Sequence, residues 1–431
     1  MIDIEAKPQF ALVLHPVLGR EGAEHSKLKL EEAVLLGEAL GVDVPVSMPI
    51  TVREIKASNY FGSGKIDEIS AIIAEHDINL VVINTALAPI QQRNLEEIWN
   101  AKVIDRTGLI LEIFALRAAT KEGRLQVELA RLGYERSRLV RTWTHLERQR
   151  GGQGFLAGPG ETQIESDRRM LADKIGKLQK DLAQVRRTRA LQRTKRKRAP
   201  ERVVALVGYT NAGKSSLFNR LTEGGVLEKD MLFATLDTTH RILPLPSGQN
   251  AVMSDTVGFI SDLPTDLVDA FRATLEEVKE ADLLIHVRDM SDPLSEQHKQ
   301  DVLQILDSIE AGPNHEQSMI EVLNKVDLIN DELRASLTGN NKQNQSTFMT
   351  SCTKRIGLDT LLEGIETELT KADHVVDVII QPKDMQVRAW LHQHGNALEE
   401  KILEQGQCQM RVRLTTVDAG KLHTHNPQVF I

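Results

Sequence analysis

A glycine-rich segment behind a short apolar run constrains this chain more than any other feature of the sequence. Residues 203–207 are all apolar and precede eight residues with the spacing G-x-x-x-x-G-K-S. This phosphate-loop pattern requires a buried strand before it and a helix after it. Its glycines let the backbone wrap around phosphate groups, and the amide groups at the helix start favour an anion. The eight residues are Gly208, Tyr209, Thr210, Asn211, Ala212, Gly213, Lys214 and Ser215.

Two side chains of the loop match the chemistry of a nucleoside triphosphate. Lys214 supplies a mobile cation for the outer phosphates, and the Ser215 hydroxyl is a hard oxygen ligand of the kind that Mg²⁺ prefers. By itself the pattern predicts only that such a nucleotide binds. The alternative, a chance glycine-rich turn, is disfavoured because the flanking segments have strand-like and helix-like patterns.

Four further motifs follow in the order that a GTPase requires. In the first, Thr235 is placed to ligate Mg²⁺ and to sense the γ-phosphate. In the second, Asp255 would hold Mg²⁺ through water, while the Gly258 N–H would meet the γ-phosphate. We therefore predict Ser215, Thr235 and Asp255 as the metal-binding residues.

The last two motifs predict guanine rather than adenine. The Asp327 carboxylate can accept hydrogen bonds from both N1–H and the 2-amino group of guanine, whereas adenine offers no such pair. Asn324 and the stem of Lys325 support the base, and a later backbone N–H contacts its O6 atom. The four motifs comprise Phe233, Ala234, Thr235, Leu236 and Asp237; Asp255, Thr256, Val257 and Gly258; Asn324, Lys325, Val326 and Asp327; and Ser351, Cys352 and Thr353.

The residue after the second motif bears on the rate of hydrolysis. Many small GTPases have a glutamine there, which orients the attacking water. This chain has Phe259, whose side chain neither donates nor accepts a hydrogen bond. The predicted catalytic residues are Lys214, Thr235, Gly258 and Phe259, and we expect slow GTP hydrolysis until a partner completes the site.

Composition is typical of a multidomain protein from a reducing compartment. The 431 residues suffice for about two to four domains. The two cysteines, Cys352 and Cys408, are far apart, so we expect neither a disulfide framework nor a Cys-rich metal site. The first residues lack a signal-peptide pattern, and no apolar run is long enough to span a bilayer. We expect a cytoplasmic protein without stable membrane insertion.

Charge is distributed unevenly along the chain. Residues 121–202 contain 22 Lys and Arg against 10 Asp and Glu, although the whole chain has a net charge of −8. A basic segment in an acidic protein is typical of a nucleic-acid contact. The alternative is a solvated helix face, but the size of the imbalance favours binding to a polyanion.

The chain is predicted to be a multidomain α/β protein that begins with an N-terminal α/β domain. Residues 1–119 alternate strand-like and helix-like segments, which predicts a small parallel sheet. Within this region, residues 62–65 (Gly-Ser-Gly-Lys) suit a phosphate but lack the spacing of a known fingerprint. The alternatives are a second nucleotide site and a plain helix start.

An antiparallel helical arm is predicted for residues 120–200. Its leucines recur with heptad-like spacing on two helices, which a glycine-rich tip at 151–160 separates. The tip could insert into RNA or simply turn the chain. Residues 186–202, with nine basic residues and one acidic residue, are predicted as a linker.

Two further domains follow the arm. Residues 201–372 are predicted as the P-loop GTPase domain, with a doubly wound sheet. Residues 373–431 are predicted as a small C-terminal α/β domain, in which two strands surround a helix at 385–405. We find no chemistry in the sequence of this last domain.

These motifs resemble HflX-type GTPases, a family of the translation-factor-related class of P-loop GTPases. The resemblance covers residues 60–370 and is weak outside them. Besides the nucleotide motifs, the residues that carry it are Tyr60-Phe-Gly-Ser-Gly-Lys65, Asp105-Arg-Thr-Gly108, Ala130-Arg-Leu132, the tip at 151–161, Glu165 and Asp167-Arg-Arg169. Two residues depart from the family pattern: Thr238 stands where proline is expected, and Cys352 where alanine is usual.

The resemblance implies the four-domain order given above and a specific partner. It implies binding to the large ribosomal subunit, with GTP hydrolysis stimulated there, and a role in splitting or rescuing ribosomes under stress. The arm would contact ribosomal RNA near the peptidyl-transferase centre. We expect a monomer that does not bind DNA.

Two alternative functions remain open from the sequence. The chain could be a GTPase of ribosome assembly, or a switch in which GTP gates RNA binding without hydrolysis. In addition, Asn211 resembles the phosphate-loop asparagine of relatives that bind K⁺ beside the phosphates, so GTP/GDP and Mg²⁺ are the expected cofactors and K⁺ a further candidate.

Overall fold

The computed structural model describes residues 10–19, 22–149, 159–196, 202–222, 232–233, 235, 238–261, 272–341, 346–403 and 406–429. By packing, the chain divides into two compact units. The first unit comprises residues 1–190, 228–238 and 257–275, and the second comprises residues 191–227, 239–256 and 276–431. This division does not test the four predicted domain boundaries, which stay a prediction.

The first unit begins with a parallel sheet of four strands in the order β2-β1-β3-β4. Parallel neighbours need crossover connections, and a helix follows each strand. The elements are β1 (Phe10–Leu18), α1 (Ala23–Ala39), β2 (Asp43–Val52), α2 (Ser63–Glu75), β3 (Leu80–Ile83), α3 (Pro89–Trp99), β4 (Lys102–Asp105) and α4 (Arg106–Arg117). The prediction of a parallel α/β fold for this region is confirmed.

Two long helices, α5 (Lys121–Gln149) and α6 (Pro159–Arg196), follow in the same unit. Three residues of the predicted apolar stripes, Leu132 on α5 and Ile175 and Leu182 on α6, are buried. The tip falls almost wholly outside the described residues. The prediction of a linker from residue 186 is wrong, because α6 continues to Arg196. Arg, Lys, Gln, Leu and Ala all favour helix, so the basic run extends the helix instead of ending it.

The second unit contains a six-stranded sheet in the order β10-β9-β8-β5-β7-β6. All neighbours are parallel except β6 and β7, and the strand that precedes the phosphate loop lies inside the sheet. The strands are β5 (Arg202–Gly208), β6 (Thr239–Pro244), β7 (Asn250–Asp255), β8 (Leu283–Asp289), β9 (Met319–Asn324) and β10 (Thr347–Met349). The doubly wound fold is confirmed, and the edge strand β6 was not predicted.

Within the described residues of the GTPase region, five helices accompany this sheet. They are α7 (Lys214–Leu221), α8 (Arg272–Lys279), α9 (Ser295–Ser308), α10 (Asp331–Asn341) and α11 (Leu358–Thr370). The core between strands and helices is apolar and includes Leu206, Phe218, Ile285 and Ile365, all buried. Since α7 starts directly after the glycine-rich loop, its first amide groups point to the carboxyl edge of the sheet.

The C-terminal region of the second unit has an antiparallel sheet in the order β11-β13-β12. Its elements are β11 (His374–Ile380), α12 (Met385–His394), β12 (Gly395–Ile402), β13 (Cys408–Leu414) and α13 (Thr416–His425). The prediction of one helix over 385–405 is wrong in its second half, where β12 pairs with β13. The local sequence pattern of this segment fits either a helix or a strand, and pairing with β13 selects the strand. As predicted, Met410 and Val412 point inward.

Two further features of the described residues concern membrane-spanning helices and clusters of metal-binding side chains. No helix there is long and apolar enough to cross a membrane. The same residues contain no group of three or more His, Cys, Asp or Glu side chains that could hold a metal ion.

Candidate nucleotide-binding site

The phosphate loop takes a backbone path that only glycine permits at two positions. Gly208 has a φ of +151°, and a Cβ built on it would lie 2.3 Å from the Val287 carbonyl oxygen. Gly213 has a φ of +93°, and a Cβ there would lie 2.2 Å from Nδ2 of Asn324. Any side chain would therefore force apart the loop, β8 and the Asn-Lys-Val-Asp motif. This explains both glycines of the pattern in physical terms.

Lys214 is buried at the start of α7, with its ammonium group directed back over the loop. It is 6% exposed, and its Nζ donates to the Tyr209 carbonyl oxygen at 2.7 Å. Burial lowers the pKa of Lys214 to about 8, and the nearby Asp255 carboxylate only partly opposes this shift. A buried cation of this kind is stabilised by a bound anion, because the anion replaces the lost hydration.

Two oxygen groups that suit a small hard cation lie side by side next to the loop. The Ser215 hydroxyl donates to Oδ2 of Asp255 at 2.8 Å, and Asp255 is 2% exposed. The neighbouring Thr256 hydroxyl binds the Leu206 carbonyl oxygen at 2.5 Å, which anchors this end of β7 to β5. A carboxylate and a hydroxyl together match the oxygen ligands of Mg²⁺, so the residues present fit this ion.

One further hydroxyl of the loop is buried. Thr210 is 7% exposed, and no described residue hydrogen-bonds to its Oγ1 atom. Since a buried hydroxyl is costly to leave without a partner, a ligand oxygen is a suitable one. Tyr209 and Ala212 are also buried, while Asn211 is exposed with a φ of +60°.

The Asn-Lys-Val-Asp motif is tied directly to the phosphate loop. Asn324 donates from Nδ2 to the Ala212 carbonyl oxygen at 2.9 Å, and its Oδ1 accepts from Thr350 at 3.3 Å. Lys325 has a φ of +61° and pairs with Asp289 at 2.7 Å. Val326 is buried and Asp327 is half-buried.

The last predicted motif forms a tight turn beside the same edge. Ser351 is fully buried, and its N–H donates to the Ile356 carbonyl oxygen at 3.1 Å. A contact to guanine O6 would therefore come from the N–H groups of Cys352 and Thr353. The Cys352 side chain packs in the apolar core of the sheet and lies 3.5 Å from Oδ1 of Asn324, so its departure from alanine adds a weak donor there.

Residues 228–238 and 257–275, which include or continue the two γ-phosphate motifs, belong to the first unit, and helix α4 contacts both stretches. Phe233 is buried with a φ of +56°, and its ring meets Phe114 edge to face at 4.6 Å. Arg106 donates from Nη2 to the Ser261 carbonyl oxygen at 3.2 Å. Neither Arg106 nor Phe114 belongs to a predicted nucleotide motif, although Arg106 lies in the Asp-Arg-Thr-Gly sequence that carried the family resemblance.

The remaining predicted residues of these segments have different environments. Gly258 and Phe259 are buried, Phe259 to 2% exposure, and Thr235 is half-buried. Val257 is 6% exposed. Ala234, Leu236 and Asp237 lie outside the described residues.

The fold and the loops at its carboxyl edge define a P-loop GTPase. Three family profiles match the chain in order: one described as GTP-binding GTPase N-terminal over residues 27–115, one as GTP-binding GTPase Middle Region over 117–196, and one as 50S ribosome-binding GTPase over 203–325.

Two relatives, each named GTPase HflX, agree with these profiles, and one solved structure is also similar. The GTPase HflX of Magnetococcus marinus is 46% identical over 399 residues, which are 93% of this chain and 91% of that protein. The GTPase HflX of Escherichia coli is 42% identical, with 87% of each chain covered. A GTP-binding protein from Sulfolobus solfataricus, solved with GDP, is 25% identical over 84% of this chain and 99% of that chain, with a TM-score of 0.47. The chain belongs to the GTPase HflX family.

Proposed function

We propose that this GTPase acts on the large ribosomal subunit and that ribosome binding completes its catalytic site. The observation that carries the proposal is the combination of a GTPase domain described as 50S ribosome-binding with a long basic arm. Splitting or rescue of stalled ribosomes under stress is the biological role that we propose, in the cytoplasm and as a monomer.

We propose a separate task for each of these predicted residues of the nucleotide site. Lys214 holds the β- and γ-phosphates, and its pKa returns toward its usual value when they bind. Ser215, Thr235 and Asp255 hold Mg²⁺, which neutralises charge on the phosphates. The Gly258 N–H meets the γ-phosphate. Asp327 selects guanine, supported by Asn324 and Lys325.

The arm supplies the chemistry that ribosomal RNA requires. The described part of α6 has exposed basic side chains along its length, at Arg168, Arg169, Lys174, Lys177, Lys180 and Arg187. Such side chains bind phosphates through charge and release counterions, so their contribution falls as salt rises. Recognition of this kind suits folded RNA, which presents a phosphate surface rather than a readable groove.

A hydrolysis assay tests this proposal directly. GTP turnover is measured with and without purified large ribosomal subunits at two salt concentrations. We expect slow turnover alone and at least about tenfold stimulation that weakens at higher salt. Absence of stimulation, with tight GTP binding intact, would contradict the ribosomal part of the proposal. A parallel assay with immature particles distinguishes action on mature subunits from a role in assembly. An assembly role predicts stronger stimulation by the immature particles.

A matched pair of variants tests the arm. Lys177→Gln with Lys180→Gln removes two exposed charges from α6, whereas Lys371→Gln with Lys401→Gln removes two exposed charges elsewhere. The arm variant is expected to need a higher subunit concentration for half-maximal stimulation. The slope of log affinity against log salt concentration should fall by about 1–2. Equal behaviour of the two variants would mean that the arm is not part of the surface that binds the subunit.

A K⁺ requirement is a separate part of the proposal. Asn211 is the loop residue concerned, and it is exposed in a left-handed conformation. Turnover is compared in K⁺ and Na⁺ at equal ionic strength. Faster turnover in K⁺ supports the assignment, and equal rates rule out the requirement.

A further inference from the structure

The loop between β8 and α9 belongs to none of the five nucleotide motifs, yet it contacts two of them. It runs from Asp289, the last residue of β8, to the first turn of α9. One end meets the phosphate loop and the other meets the Asn-Lys-Val-Asp motif. All of these residues lie in the second unit.

At the phosphate end, an aromatic pair supports the loop from behind. The Tyr209 ring lies flat on the imidazole of His298, with centroids 3.6 Å apart and 8° between the planes. Tyr209 is 8% exposed and is the second residue of the loop. Its carbonyl oxygen is the acceptor for Lys214 Nζ at 2.7 Å. The stack therefore supports the residue whose backbone anchors the phosphate-binding lysine.

The imidazole is in turn held by a carboxylate of the same loop. Nδ1 of His298 lies 2.9 Å from Oδ2 of Asp292, and both side chains are largely shielded from solvent. The other carboxylate oxygen accepts from the Leu294 N–H at 2.8 Å. Burial alone would raise the pKa of Asp292, but the hydrogen bonds from His298 and Leu294 outweigh it and lower the pKa. The carboxylate is thus ionised and oriented before any nucleotide binds.

At the base end, Asp289 holds Lys325 by a 2.7 Å ion pair. The second oxygen of Asp289 accepts from the N–H and the hydroxyl of Ser291 at 2.9 and 2.6 Å. In addition, the Met290 N–H donates to the Asn324 carbonyl oxygen at 3.0 Å. The loop therefore has a fixed attachment to the guanine-recognition motif, which makes it a rigid support for its other end.

We propose that Asp292 and His298 are positioning residues for the phosphate loop. Asp292 orients the imidazole, the imidazole holds the Tyr209 ring, and the Tyr209 carbonyl group stays where it anchors Lys214. The ligand whose binding depends on this chain of contacts is the diphosphate part of GTP and GDP. The inference rests on the proposed role of Lys214 and goes beyond it, since neither Asp292 nor His298 belongs to a nucleotide motif.

The arrangement differs from simple packing in a way that can be measured. An apolar side chain at position 298 would fill the same space but would lose the parallel ring contact. A phenyl ring would keep the ring contact and lose only the bond to Asp292. Positioning therefore predicts partial rescue by Phe, whereas plain space-filling predicts equal behaviour of Phe and Leu.

The experiment compares GDP dissociation from full-length His298→Leu, His298→Phe and the unchanged protein, with a fluorescent GDP analogue as the probe. We expect His298→Leu to weaken GDP binding by about five- to tenfold, from the loss of one aromatic contact. His298→Phe is expected within about threefold of the unchanged protein. The KM for GTP should rise with the GDP dissociation constant, while kcat changes by less than about twofold.

A matched control lies at the other end of α9. His315 pairs with Asp307 at 3.1 Å, as His298 pairs with Asp292, but neither His315 nor Asp307 belongs to a nucleotide motif. His315→Leu is expected to leave GDP dissociation unchanged. Thermal unfolding without nucleotide should be similar for all variants, which shows that the loss of affinity does not come from unfolding.

Two outcomes would overturn the proposal. The first is unchanged GDP affinity in His298→Leu, and the second is an equal loss in the Leu and Phe variants. A Lys214→Ala variant separates this failure from failure of the nucleotide site itself. If Lys214→Ala loses GDP and His298→Leu keeps it, only the positioning role is wrong; if both keep GDP, the proposed site is wrong.

Discussion

Two parallel sheets of this chain end in polar residues at their carboxyl edges, and they use those residues differently. In the N-terminal sheet, Asp105 is the last residue of β4 and is 1% exposed. Its carboxylate accepts from the N–H groups of Leu87 and Gly108 at 3.1 and 2.8 Å, and from the side chains of Tyr134 and Arg138 at 2.7 and 3.2 Å. The protein itself supplies every partner of this buried charge.

The GTPase sheet has the opposite arrangement at the same edge. Lys214 is buried against a backbone carbonyl group, and burial lowers its pKa to about 8. In the N-terminal sheet the pKa of Tyr134 is instead raised, chiefly by burial and then by the charge of Asp105, so the phenol remains a neutral donor. A parallel sheet gathers polar groups at its carboxyl edge in both cases. Whether the edge binds a ligand depends on whether the chain already pairs the charges there.

Asp105→Ala should have the largest effect on stability and little effect on nucleotide binding. Removing the carboxylate takes away the ion-pair partner of Arg138 and the acceptor of the Leu87 and Gly108 N–H groups, which should cost about 3–5 kcal/mol of unfolding free energy. Denaturant unfolding measures the loss, and Asp67→Ala, which removes an exposed carboxylate of α2, is the control. GDP affinity within about threefold of the unchanged protein is expected; a large loss of GDP binding in folded protein would break the contrast between the two sheets.

Lys214→Ala should show the reverse behaviour. Without the ammonium group, GTP turnover is expected to fall by about 10²–10³-fold, because a cation aimed at the phosphates is lost. The unliganded protein should be no less stable, since a desolvated charge has been removed. Lys383→Ala, at an exposed lysine of the C-terminal region, serves as the control. A large drop in stability would mean that Lys214 is structural in the same sense as Asp105.

Asp327→Asn should change which base is preferred. The amide can no longer accept from both N–H donors of guanine, so GDP affinity should fall by roughly 10–100-fold. Xanthosine diphosphate, which presents a carbonyl oxygen in place of the 2-amino group, should bind better than to the unchanged protein. Calorimetric titration with both nucleotides measures this change in base preference. If the variant still preferred guanine, Asp327 would not be the residue that selects the base.

A dependence on pH should be the smallest of these effects. With a folded pKa of about 8, Lys214 is mostly protonated at pH 7 and mostly neutral at pH 9 in the unliganded protein. Binding the phosphates requires the charged form, so GDP affinity should fall as pH rises through 8, by about tenfold at pH 9. Proton uptake on binding should appear over the same range. Lys214→Arg stays charged there and should remove the dependence.

Sequence reasoning succeeded where a function requires a local pattern. The phosphate loop, the Asn-Lys-Val-Asp motif and the parallel α/β pattern of the first region were all recognisable from spacing alone. It failed at two strands that pair across short turns. Residues 395–402 were assigned to a helix, although they pair with β13. The edge strand β6, which pairs antiparallel with β7, was not recognised. Cross-strand packing rather than local pattern decides such strands.

The amino-acid sequence by itself determined that this chain is a GTP-binding protein with an order of motifs that excludes most other folds, because backbone chemistry around phosphates tolerates few residue types. Only the tertiary structure decided which residues support those motifs. Tyr209 and His298 are 89 positions apart, and Arg106 and Ser261 are 155 apart. Contacts at such separations depend on how strands and helices pack, and no local spacing encodes them.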